Sequence, residues 1–212
     1  MAGTEARAFV RRLEDCVAAQ VAGRRRVVLA YSGGLASTVV ATVARKRCDL
    51  ECVVAGAEDS DDVRAANEAR LYLDYRITTV VIDAADTNRL LRRARGAVPH
   101  LPSSAILPLL PVFAVVERSA GEVCLTGLGL ARSDPLALEA LRRLQIQSPL
   151  ADVFAGKRCS RDVVRAAATS LGLPETWARV RHRSPLAGAG MSAFVETVDD
   201  EAGLRDSSPG AF

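Results

Sequence analysis

The run Val27-Val28-Leu29-Ala30-Tyr31 passes directly into Ser32-Gly33-Gly34, then into Ser37-Thr38 and a stretch of helical periodicity. A short continuous apolar run bounded by a glycine turn is the mark of a strand covered on both faces in a parallel sheet. Parallel strands need long crossover connections, so this feature points to an α/β domain. The two glycines remove Cβ atoms, which lets backbone N–H groups approach an anion, and the helix behind them adds the positive end of its dipole. Ser32, Ser37 and Thr38 supply hydroxyl donors. The turn therefore reads as a phosphate cradle, the alternative being a tight turn with a Ser or Thr cap. It is not a Walker A loop, because the GxxxxGK[ST] spacing and its lysine are absent.

The rest of the chain continues the alternation. Phe9, Val10, Leu13, Val17 and Ala18 recur at helical spacing and predict an amphipathic helix ending near Gly23. Further helices are expected over residues 38–47, 61–73, 86–95, 106–119, 135–144 and 160–171, and further strands over 50–55, 78–82 and 123–126. Strands alternating with helices of ten or more residues imply right-handed crossovers and a doubly wound parallel sheet, followed here by a C-terminal helical segment. Ligands of such sheets sit at the carboxyl ends of the strands. The expected organisation is an N-terminal helix over 1–24, a core domain over 25–196 and a flexible polar tail over 197–212.

Composition narrows the class further. With 212 residues, 49% of them hydrophobic, there is chain for one full core. The 28 basic and 25 acidic residues leave a formal charge of +3, which argues for neither a nucleic acid nor a membrane partner. Five cysteines at irregular spacing include no CxxC pair, so neither a zinc site nor a thioredoxin-like motif is expected. Charges throughout residues 1–20 exclude a signal peptide, and no apolar run has the length of a membrane span, so a cytoplasmic protein is expected.

Tyr31-Ser32-Gly33-Gly34-Leu35-Ala36-Ser37 resembles the SGGxDS motif of the PP-loop ATP pyrophosphatases. Members of that family cleave ATP between the α- and β-phosphates to adenylate a substrate. Val53 to Gly56 with Ser60-Asp61-Asp62 and Ala65-Ala66 is similar to one branch, the asparagine synthetase C-terminal domain. So are Leu101 to Ser104, Val123 to Gly129, Ser148 to Asp152, Gly156 to Arg158 and Leu171 to Glu175, in order, over residues 27–190. The resemblance implies the adenine nucleotide alpha hydrolase-like (HUP-type) fold and an ATP or AMP ligand. The site it implies comprises Tyr31, Ser32, Gly33, Gly34, Ser37, Thr38, Val54, Gly56, Gly127 and Gly129, with adenine near Tyr31 and Val54 and phosphates over residues 32–38. It also implies a small carboxylate acceptor, and a homodimer or a partner protein.

The sequence departs from that family at its metal-binding positions. Ala36 stands at the aspartate of SGGxDS, and Ala131 and Arg132 stand at the acidic pair of GxGxDE. Magnesium requires hard oxygen ligands, which neither alanine nor arginine provides. The expectation is a nucleotide-binding protein with reduced or lost pyrophosphatase activity and no assigned catalytic residue. Asp59, Asp61 and Asp134 are the substitute carboxylates within reach in sequence, helix capping and loop charge being the alternative. Arg132, Arg181 and Arg183 are candidates for direct phosphate contact. Two further readings remain: an active AMP-forming amide ligase using ammonia, and an RNA-modifying enzyme with Arg92, Arg93 and Arg95 on its surface. The modest charge and the lack of an aromatic stacking module weigh against the RNA reading. The chain opens Met1-Ala2, without the N-terminal cysteine of the glutaminase half, so glutamine hydrolysis is not expected.

Overall fold

The apolar run forms β1 (Arg26–Ala30), the inner strand around which the rest is laid. The computed structural model describes residues 2–119, 121–129, 135–154, 161–178 and 184–195. In chain order, α1 (Ala2–Gln20) precedes β1, and α2 (Leu35–Ala44), β2 (Asp49–Gly56), α3 (Asp61–Tyr72), β3 (Ile77–Val81) and α4 (Ala84–Ala97) follow it. Next come α5 (Ser103–Ile106), a 3₁₀ turn (Leu107–Leu109), α6 (Leu110–Arg118), β4 (Val123–Thr126), α7 (Pro135–Arg143) and α8 (Pro149–Val153). The last named elements are α9 (Arg161–Ser170), α10 (Glu175–Ala178) and α11 (Pro185–Gly188). The predicted tail over 197–212 lies outside the described residues.

The four strands are parallel in the order β3-β2-β1-β4. Strands are added in one direction from β1 to β3, with α2 and α3 on one face. The chain then crosses back to place β4 on the other side of β1, with α4 to α6 on the opposite face. One-handed crossovers require that change of face when the direction of addition reverses. The result is a doubly wound sheet whose switch point lies between β1 and β4. Side-chain alternation divides the core accordingly: Val27, Leu29, Cys52, Val54 and Leu125 pack under α1, α2, α3 and α9, while Val28, Val53, Ala55 and Cys124 pack under α4 and α6.

Local chemistry fixes the helix starts after the strands. Ser60 caps α3 by accepting from Val63 N–H at 3.3 Å, and Asp83 caps α4 by accepting from Asp86 N–H at 2.7 Å. α2 differs, beginning at Leu35, three residues before the expected Thr38, because Gly34 itself takes the N-cap position. The single helix expected over 106–119 is divided into the 3₁₀ turn and α6, with Pro108 and Pro111 in the first turns of the two pieces. Proline lacks the N–H that would continue the upstream helix and is tolerated only at such starts. Short helices α8, α10 and α11 have four or five residues, too few to show a helical period in sequence. Among the described residues no helix is long and apolar enough to cross a membrane.

Candidate functional site

The turn after β1 leaves the first turn of α2 open. Gly34 is extended (φ −78°, ψ 164°) and no side chain caps the helix. The first intrahelical bond runs from Thr38 N–H to the Gly34 carbonyl at 3.0 Å, so the N–H groups of Leu35, Ala36 and Ser37 have no acceptor within the helix. Ser37 Oγ donates to the same carbonyl at 3.0 Å and lies 3.2 Å from Ser32 Oγ, which accepts from Gly34 N–H at 3.4 Å. Gly33 lies in the left-handed region at φ +68°, and a Cβ there would meet Ala65 Cβ of α3 at 2.6 Å. A Cβ on Gly127 would meet Ser37 N at 2.6 Å, so glycine is what lets the end of β4 press against the start of α2.

A cavity of about 300 Å³ opens at the carboxyl ends of β1, β2 and β4. Its polar side is built from Ser32, Gly34, Ser37 and Thr126; its apolar side is formed by Ala30, Val53 and Ala55 with Pro111, Val112 and Val115 of α6. Asp61 and Asp62 of α3 and Pro185 of α11 complete the wall. Asp61 Oδ1 is 2.6 Å from Arg64. A Cβ on Gly188 would meet Asp62 Oδ1 at 2.5 Å, so α11 lies directly against that carboxylate. A pocket with an apolar wall and a few convergent polar groups, at a sheet's switch point, is the usual form of a small-molecule site.

Of the ten residues that the resemblance assigns to the nucleotide, Tyr31, Ser32, Gly34, Ser37 and Gly127 line this cavity. The others serve elsewhere. Thr38 is fully buried, and its hydroxyl is 2.9 Å from the Gly34 carbonyl and 3.0 Å from Tyr31 Oη, so it is no donor into the cavity. Val54 faces the opposite core, and its neighbours Val53 and Ala55 form the wall instead. Gly56 lies outside the wall: a Cβ there would meet the Ala189 carbonyl at 2.7 Å, so it is a packing glycine under the C-terminal turn. Gly129, at φ +118°, leaves room for Ala151 N at 2.5 Å from its absent Cβ. Gly33 turns toward α3 and supports the cradle from behind.

Asp59 is exposed in the turn before Ser60 and is not in the wall, whereas Asp61 is. Ala131, Arg132, Asp134, Arg181 and Arg183 lie outside the described residues. Among the described residues no group of three or more His, Cys, Asp or Glu side chains is placed to hold a metal ion. Arg92 is exposed on α4, Arg93 pairs with Glu117 at 2.8 Å, and Arg95 donates to Ser103 at 2.9 Å. Sequence reasoning missed the α6 wall. Val112 and Val115 carry the pattern of ordinary core positions, and only the fold shows that they line the cavity.

Comparison with known proteins agrees with this architecture. The asparagine synthase family profile matches residues 8–134, more than half of the chain and all of the turn after β1. No curated protein matches. Among solved structures, NMN synthetase from Francisella tularensis matches with a TM-score of 0.52 at 15% identity, over 98% of this chain and 89% of that one. A likeness at that identity bears on the fold alone, which it supports over nearly the whole length. The chain belongs to the asparagine synthase family of PP-loop proteins and has its HUP-type doubly wound α/β fold.

Proposed function

We propose that this protein binds an adenine nucleotide, ATP or AMP, at the carboxyl edge of its sheet. The observation that carries the reading is the uncapped first turn of α2, which faces a cavity of about 300 Å³ with hydroxyls on one side and an apolar wall on the other. Free N–H groups and the helix dipole suit phosphate. The surface made by Ala30, Val53, Ala55 and α6 suits the face of a base. Ser32, Gly34, Ser37, Gly127 and the backbone of Tyr31 form the binding site within a unit spanning residues 25–196, in a cytoplasmic protein that works as a homodimer or with a partner protein.

Pyrophosphatase activity is reduced or absent in this reading. Ala36 lines the cavity at the family's carboxylate position and offers no oxygen to magnesium, and one oxygen of Asp61 is engaged by Arg64. The described wall lacks the family's carboxylate at position 36, and no chemical step is derived through magnesium. A second reading, an ammonia-using AMP-forming amide ligase, draws on Asp61 and Asp62, which bring carboxylates to the same wall.

Calorimetry with ATP, with and without magnesium, tests the proposal. Saturable binding is expected for the wild type, and its loss in Gly34→Arg, whose side chain would fill the cradle. Undiminished binding by that variant sinks the site. Ala36→Asp is expected to make binding magnesium-dependent. Pyrophosphate release in the presence of ammonia and small carboxylic acids would establish the second reading instead.

A further inference from the structure

Tyr31 has a buried hydroxyl that packing does not require. Its ring sits in the core under α2, edge-on to Tyr75 at 6.1 Å between centroids, and a phenylalanine would fill that space equally well. A buried hydroxyl is costly unless bonded. The partner of this one is Thr38 Oγ1 at 3.0 Å. The direction of that bond follows from the next. Thr38 Oγ1 is 2.9 Å from the Gly34 carbonyl, which can only accept, so the single threonine proton is directed there. Tyr31 is therefore the donor to Thr38.

The chain runs from Tyr31 O–H to Thr38 O–H to the Gly34 carbonyl, which also receives Thr38 N–H and Ser37 Oγ at 3.0 Å each. A parallel chain holds the helix behind it: Thr42 Oγ1 donates to the Thr38 carbonyl at 2.8 Å and lies 2.6 Å from Tyr75 Oη. In a planar trans peptide the carbonyl of Gly34 and the N–H of Leu35 point in opposite directions. Donors that draw the carbonyl along α2 thus direct the Leu35 N–H the opposite way, out of the helix start. Hydrogen bonds in series also polarise one another, so the peptide becomes a stronger donor at its free end.

We propose that Tyr31 is a positioning residue for phosphate: acting through Thr38 and the Gly34 carbonyl, it aims and polarises the first free N–H of the cradle. This rests on the nucleotide-binding reading above. It assigns the Tyr31 side chain to the phosphate end of the ligand, not to the base, and it acts without touching the ligand.

The test is Tyr31→Phe, which keeps the ring and removes the donor. ATP affinity is expected to fall about threefold to tenfold, while the downfield shift of the Leu35 amide proton on adding ATP, read by ¹H–¹⁵N NMR, shrinks. Thr38→Val should lower ATP affinity at least as much, and Thr38→Ser should restore it by keeping the hydroxyl. If Tyr31→Phe binds ATP as the wild type does, or weakens binding with the Leu35 shift unchanged, the inference is overturned. Wild-type protein that binds no ATP overturns the nucleotide reading itself, and this inference with it.

Discussion

Cys52 and Cys124 sit on opposite faces of the sheet, in neighbouring strands of β1, and burial pushes both thiols up to about 12. Unfolded, they titrate near 9. Below pH 9 both states are protonated and the stability the thiols contribute is fully present. Between 9 and 12 the unfolded chain releases protons that the folded chain retains, so stability falls as pH rises. At pH 10 the loss is about 1 kcal/mol per thiol. Urea midpoints measured from pH 8 to 10.5 should therefore decline, with a shallower slope in the Cys52→Ala, Cys124→Ala double variant. The same strands show what single residues disclose. Gly33 and Gly34 were legible because a glycine pair after an apolar run permits a left-handed turn and a close backbone approach that other residues do not. Which side chains of β2 form the wall, Val53 and Ala55 and not Val54, could not be read from the sequence, because a strand that is apolar toward both faces carries no alternation that would assign its sides.

At the scale of elements, legibility follows length. The period of α1 could be read from Phe9, Leu13 and Val17, all fully buried in the structure, with Phe9 stacked on Phe154 at 5.0 Å. Leu13→Ala should cost about 2–5 kcal/mol, seen as a lower melting temperature, whereas truncating the exposed Arg12 should cost less than about 0.5 kcal/mol. No comparable signal marks α11, although Pro185 reaches the cavity and Gly188 lies against Asp62. Its placement depends on long-range contacts, including the bond from Ala57 N–H to the Ala189 carbonyl at 2.8 Å. The cradle was legible because strand, turn and helix are consecutive in sequence. Its walls were not, because they come from α3, α6 and α11.

For the whole molecule, the alternation of strands and helices was enough to give the doubly wound class, while the strand order rests on which side of β1 receives β4. One consequence comes from the packing of α1 against α8 and α9, which joins the beginning of the chain to residues 149–170. α1 and α2 leave the ribosome before the helices that cover their shared apolar face, which are made more than 100 residues later. Until then Phe9, Leu13 and Val17 lack much of their final cover, and contacts of such sequence separation form slowly. A chain released after Gln147 should contain the turn after β1 and yet lack a cooperative melting transition in calorimetry. The cradle is thus synthesised more than 100 residues ahead of α8 and α9, the helices that complete the cover behind it, and a nascent chain that lacks them is expected to hold nucleotide less well than the full chain.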